Sequence, residues 1–143
     1  MGVFAGGIGN PQTRALAKRL GGENSRRFYG IVIGDKDVLY RHGQYRYTVS
    51  PSNQERYFRW FWLKATEEDL KKTDFLLLHA TKPDETFFLI PTKKAKPILD
   101  EFSGRTISVA VEPGGSIRKR RDAREMLEPF RITFSNLKKL LAE

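Results

Sequence analysis

Cysteine is absent from the 143 residues. Disulfides and thiolate metal sites are therefore excluded, and an intracellular setting (cytoplasm, nucleoid or nucleus) is the simpler expectation. Long apolar runs are missing too. The longest, "FLLL" and "FFLI", are far too short to span a bilayer, so no membrane partner is expected. The opening "MGVFAGGIGN" has no basic segment and no apolar stretch of signal-peptide length. Gly6 or Gly7 stands where a myristoylation motif needs Ser or Thr. Only two histidines occur, His42 and His79, and without cysteine they reach a metal site only in company with carboxylates. No Gly-x-Ser-x-Gly elbow and no His-Glu-x-x-His pair is present, which disfavours hydrolases of those types. Acid is also in short supply: 17 Asp and Glu stand against 26 Lys and Arg, leaving a formal charge of +9.

That surplus is clustered. "SIRKRRDAR" (Ser116 to Arg124) is densest, followed by "RALAKR" (Arg14 to Arg19), Arg26 with Arg27, and "KKAK" (Lys93 to Lys96). Like charges held close repel one another unless an anion is near, so such clusters favour phosphate contact. The expected partner is nucleic acid, DNA before RNA. Its contacts are expected from Arg118, Lys119, Arg120, Arg121 and Arg124, with Arg14 and Lys18. A face that merely carries solvated charge is the plain alternative, and a homodimer stays open.

The pattern of residues sets out the elements. Asn10-Pro11 starts a helix with Ala15, Leu16 and Leu20 as its apolar stripe, and Gly21-Gly22 stops it. "RRFYGIVIG" reads as a strand, with Asp35 and Asp37 in a polar turn. "VLYRHGQYRYTV" reads as a hairpin turning at His42-Gly43. "YFRWFWLK" is a further strand, and Thr66 with Asp69 forms a capping box for a short helix. "TDFLLLHA" is apolar without alternation, which suits a central strand covered on both faces. "TFFLIP" returns beside it after a turn at "KPDE". Pro97 opens a helix that stops near Gly104, "TISVAVE" is a strand, Ser116 caps a basic helix, and Ser135 caps a last helix using Leu137, Leu140 and Leu141. The chain is thus expected to be one α/β domain, with α+β as the variant: a mixed central sheet flanked by helices.

Helix, three meandering strands, helix, strand is an order that resembles the PD-(D/E)xK nuclease core, the restriction-endonuclease-like fold. Asp35 or Asp37 leads into "VLY", and "WFWLKAT" is similar to the family's strand ending in E/Q-x-K. The resemblance covers residues 11 to about 91. It leaves 1–9 as a flexible arm and 92–143 as a C-terminal strand and helices with the basic segment. It implies Asp37, and Asp35 as the other candidate, as Mg²⁺ ligands, and Asp37 with Lys64 as catalytic residues. In that chemistry the metal orients the attacking water and the lysine stabilises developing charge. The pattern departs at Trp62, which occupies the Glu/Gln position and offers no oxygen ligand. A second acid has then migrated in, from Glu55, Glu67 or Glu68, or the domain no longer cuts. Asp74 is a further acid that its own strand is expected to carry away. Lys64 at a strand end also suits a plain solvated lysine whose stem packs on rings, and the aspartates suit turns.

Three functions follow. The first choice is a nucleic-acid-binding protein on a nuclease-like, catalytically degenerate core. The others are an active Mg²⁺-dependent endonuclease and a basic module that meets an acidic protein partner.

Overall fold

Pro11 opens α1 (Pro11–Leu20), where its missing amide proton leaves no helical bond unmade. The computed structural model of the chain describes residues 11–48, 55–60, 66–81, 85–102, 107–110 and 124–143. Its first helix stops at the expected Gly-Gly pair. Gly21 takes a φ of 79°, and its amide donates to the Lys18 carbonyl at 3.2 Å, while that of Gly22 donates to Ala17 at 2.8 Å. These two bonds satisfy the last carbonyls in a Schellman ending. Gly22 is also a point of close approach, since a Cβ there would collide with the Val32 carbonyl and the Ile33 side chain. Thr13, Leu16, Ala17 and Leu20 form the buried stripe of α1, whereas Ala15 faces solvent.

Eight strands follow in the described residues: β1 (Glu23–Asn24), β2 (Gly30–Ile33), β3 (Lys36–Thr48), β4 (Glu55–Trp60), β5 (Phe75–Ala80), β6 (Thr86–Pro91), β7 (Ile107–Ala110) and β8 (Arg131–Ile132). The main path runs β1-β2-β3-β5-β6-β8, and every pairing is antiparallel except β3 with β5. The far end of β3 pairs with β4, and β4 with β7. The crossover from β4 to β5 contains α2 (Glu67–Lys71), opened by the expected capping box. The Thr66 side chain accepts from the Asp69 amide, and the Asp69 carboxylate accepts from the Thr66 amide. α3 (Lys96–Phe102), α4 (Arg124–Leu127) and α5 (Phe134–Ala142) complete the fold.

Several expectations need correction. The strand expected over 26–34 is confined to Gly30–Ile33. The tight turn is Gly34-Asp35, with Ile33 paired to Lys36, so Asp37 already lies within β3. His42-Gly43 makes no hairpin. β3 runs straight through, because His42 and Gly43 pair with His79 and Ala80 of β5 before Gln44 turns to β4. The last helix is capped by Thr133, whose hydroxyl accepts from the Asn136 amide at 3.2 Å, rather than by Ser135. Starting earlier lets Phe134 pack against the core, and Leu140 stays exposed while Leu137 and Leu141 are buried.

Helices cover both faces of the sheet. Leu76, Leu78, Phe88 and Ile90 face Ile98 and Leu99 of α3 and Leu127 of α4. Leu77, Phe87 and Leu89 face Leu16 and Leu20 of α1 and Leu137 and Leu141 of α5. This is the α/β architecture expected of a central strand with no polar face. No helix among the described residues is long and apolar enough to cross a membrane.

Gly22→Ala should destabilise the protein by about 1–3 kcal/mol, the usual cost of forcing a methyl group into a filled space. Urea unfolding reads this directly. An unchanged midpoint would show that α1 can lift off β2 without cost.

Candidate nucleic-acid interface

The Schellman ending of α1 turns the chain back under its own helix into the edge strand β1. Ser25 then closes the next loop. Its amide donates to the Gly30 carbonyl at 2.8 Å, and its Oγ accepts from the Arg27 amide at 3.1 Å. The loop so fixed presents Arg26 and Arg27 outward. Arg14 and Lys18, four apart on α1, lie on the helix side that overhangs this loop. The result is a pocket of about 660 Å³ whose polar lining is Arg14, Lys18, Glu23, Asn24, Ser25, Arg26 and Arg27, four cations with one carboxylate among them. Two basic clusters distinct in the sequence thus meet at one concave surface.

Asp37 borders it through Arg27, whose Nη2 lies 2.7 Å from the Asp37 carboxylate. Arg27 is 64% exposed and Asp37 21%, so the pair contributes no more than about 1 kcal/mol to stability. Its effect is to commit the carboxylate. Asp74 does not drift away as expected. Parallel pairing of β5 with β3 puts Val38 opposite Phe75. The Asp37 amide therefore donates to the Asp74 carboxylate at 2.9 Å, and the Asp74 amide to the Asp37 carbonyl at 2.8 Å. Two acids thus stand side by side at the starts of two parallel strands, one held by a guanidinium and the other by an amide. Among the described residues no three His, Asp or Glu side chains gather as a metal site, and one oxygen of each carboxylate is already engaged, Asp37 Oδ1 by Arg27 and Asp74 Oδ2 by the Asp37 amide.

Asp35 sits exposed in the Gly34-Asp35 turn. Lys64, Trp62, Arg118, Lys119, Arg120 and Arg121 lie outside the described residues, as does the arm 1–9. Arg124 begins α4. Not every cluster is free to meet an anion. Lys96 lies 3.3 Å from both Glu67 and Asp100, tying α3 to α2. Arg19 holds Glu85 through two bonds of 2.7 and 2.8 Å.

That last pair belongs to a polar network the sequence reading did not assemble. His79, next to last in β5, is 1% exposed. Its Nε2 lies 2.9 Å from Glu85 Oε2, and its Nδ1 lies 2.6 Å from the Tyr40 hydroxyl. A carboxylate only accepts, so Nε2 carries the proton and Nδ1 accepts from Tyr40. Phe87 stacks on the imidazole at 4.2 Å, and the Arg19 guanidinium lies 4.3 Å from the Phe134 ring centre. Burial pulls the His79 pKa down to about 4, against the opposing pull of the Glu85 bond. The Arg19 hydrogen bonds hold Glu85 down at about 2, and burial raises the Tyr40 phenol above its ordinary range. The imidazole is neutral at physiological pH. The network's visible task is to fasten α1 and α5 to the sheet. The available signal was a lone histidine inside "FLLLHA", six residues before Glu85.

The sign of the pH dependence follows. Unfolded His79 takes up a proton as the pH drops through 6.5, whereas folded His79 resists until about 4, so its stabilisation is complete above 6.5 and lost across that window. His42, also lowered chiefly by burial, acts in the same direction, and Glu85 adds a further loss as the pH drops from 4.5 towards 2. The urea midpoint should be lower at pH 5 than at pH 7.5. His79→Gln should cost about 1–3 kcal/mol at pH 7.5, because Tyr40 and Glu85 lose a partner, and should flatten the difference between the two pH values. An undiminished difference in the variant would rule out His79 as its source.

Comparison with protein-family models, with curated proteins and with solved structures finds no match for this chain.

Proposed function

We propose that the chain binds nucleic acid, DNA before RNA, through the cationic pocket between α1 and the 25–27 loop. The carrying observation is the convergence of Arg14, Lys18, Arg26 and Arg27 on one concave surface. Cations from two separate segments define a direction for a phosphate backbone, which a charge surplus spread over the surface does not. The net charge of +9 supplies the long-range attraction, and the segment from Arg118 to Arg124 extends the contact.

Binding without cleavage is the reading we favour on the nuclease-like core. Trp62 stands where that chemistry needs an oxygen ligand, and the Asp37 carboxylate is engaged by Arg27. The active Mg²⁺-dependent nuclease remains the second reading, favoured by one observation: Asp37 and Asp74 are adjacent. It would require Arg27 to release Asp37 and Lys64 to reach the scissile phosphate.

A labelled duplex titrated at several salt concentrations tests the proposal. Affinity should fall steeply with salt. Replacing Arg14, Lys18 and Arg26 together by Ser should lower the slope of log affinity against log salt by about 2–3, near 0.9 for each lost phosphate contact. Replacing Lys138 and Lys139 should change it little. Incubation with Mg²⁺ or Mn²⁺ should leave plasmid and single strands intact, and cutting that disappears in Asp37→Ala would establish the second reading instead. Binding indifferent to salt, or equal losses from the two sets of variants, would contradict the pocket as interface and leave the acidic-partner reading.

A further inference from the structure

Arg27 lines the cationic pocket, yet its guanidinium is engaged elsewhere. Nη2 donates to Asp37 Oδ1 at 2.7 Å. Asp37 lies two residues before Leu39 on β3 and so shares its sheet face. Leu39 belongs to the apolar cluster that α3 and α4 cover, as does Phe28, whose ring centre lies 5.9 Å from Arg27 Cζ. α1 packs on the opposite face. Asp37 thus turns the Arg27 head group away from Arg14 and Lys18, the cations that α1 supplies to the pocket.

What holds it there is weak. A single nitrogen makes the bond, and Arg27 is 64% exposed, so water and salt screen the pair. The loop does not depend on it. The Arg27 amide donates to Ser25 Oγ at 3.1 Å and the Ser25 amide to the Gly30 carbonyl at 2.8 Å, which pins the backbone whichever way the side chain lies. A phosphate offers a guanidinium two oxygens at once, a stronger contact than one bond to a carboxylate. The charge of the pocket favours the same exchange. Glu23 on its wall offsets one of the four cations and Asp37 a second, so freeing Arg27 adds a full charge where a strand would arrive.

Resting on the nucleic-acid reading above, we propose that Asp37 is a built-in competitor for the strand. Its carboxylate occupies Arg27 in the free protein, and a backbone phosphate at the pocket displaces it. Arg27 then turns on its own side-chain bonds to complete the cationic wall, and Asp37 is left to solvent. The exchange is with the phosphodiester, so it is indifferent to the bases. Breaking the pair costs the same for every strand. Asp37, which does not line the pocket itself, is therefore a determinant of how tightly the pocket binds.

Fluorescence anisotropy with a labelled duplex over a range of salt, using Asp37→Asn, Arg27→Ser and the double variant, tests this. Residue 37 pairs with β2 through its backbone, so the substitution leaves the strand in place. Asp37→Asn should tighten binding about two- to fivefold, the worth of an exposed ion pair. Asp37→Ala, which removes the contact altogether, should do the same. Arg27→Ser should weaken binding and lower the slope of log affinity against log salt by about 0.9, one phosphate contact. In the Arg27→Ser background the gain from Asp37→Asn should vanish. Glu23→Gln removes an equal charge from the pocket wall without releasing Arg27, and its gain should be the same in both backgrounds. No gain in either Asp37 variant, a gain that persists without Arg27, or an unchanged slope in Arg27→Ser would overturn the competition and leave the pocket standing as the interface. Failure of the unaltered protein to bind any strand or duplex would overturn the functional reading itself.

Discussion

β5 has no polar face, and most of the architecture answers to that constraint. Leu76, Leu77 and Leu78 are each 0% exposed, so helices must lie on both sides of the strand. The face with Leu76 and Leu78 is closed by α3 and α4, and that with Leu77 by α1 and α5. The position of α1 follows from this cover. Because α1 must sit close over β2, Gly22 admits no side chain, and the chain has to reverse tightly into β1. That reversal brings Arg26 and Arg27 under Arg14 and Lys18. The proposed interface is therefore a by-product of how the sheet is covered.

A polar network is embedded in the same cover. His79 replaces an apolar residue in the central strand and is tolerated because both of its nitrogens are satisfied, by Tyr40 on the neighbouring strand and by Glu85 immediately before β6. Glu85 is in turn fixed by Arg19 from α1, and Arg19 lies over Phe134 of α5. Such a chain contributes orientation more than net stability, since desolvation offsets much of the attraction. It also divides the basic residues of α1. Arg19 is turned inward to structure, while Arg14 and Lys18 remain at the pocket.

Local signals in the sequence were read correctly where the structure is itself local. The Gly21-Gly22 stop, the Thr66–Asp69 capping box and the unbroken apolar run of β5 each depend on residues within a few positions. Readings failed where a distant partner decides. His42-Gly43 has turn composition, yet β5 and then β4 hold it extended. Asp74 reached Asp37 only because the crossover through α2 returns β5 parallel to β3. Thr133 and Ser135 are equally good caps in isolation, and the burial of Phe134 chose between them. Arg14 and Lys18 were legible as a basic pair on the first helix, and Arg26 with Arg27 as a cluster. That they form one surface depends on the packing of α1 over β1 and had no signature in composition or spacing.

The central claim is that one surface, between α1 and the loop after β1, receives the nucleic acid. Amide hydrogen exchange of the full chain, free and saturated with a short DNA, tests it most directly. Added protection is expected across Arg14 to Leu20 and Asn24 to Arg27, with α5 from Lys138 onward unchanged. Protection confined to α5 or to the Lys93–Lys96 segment, with α1 and the 25–27 loop exchanging as in the free protein, would contradict it.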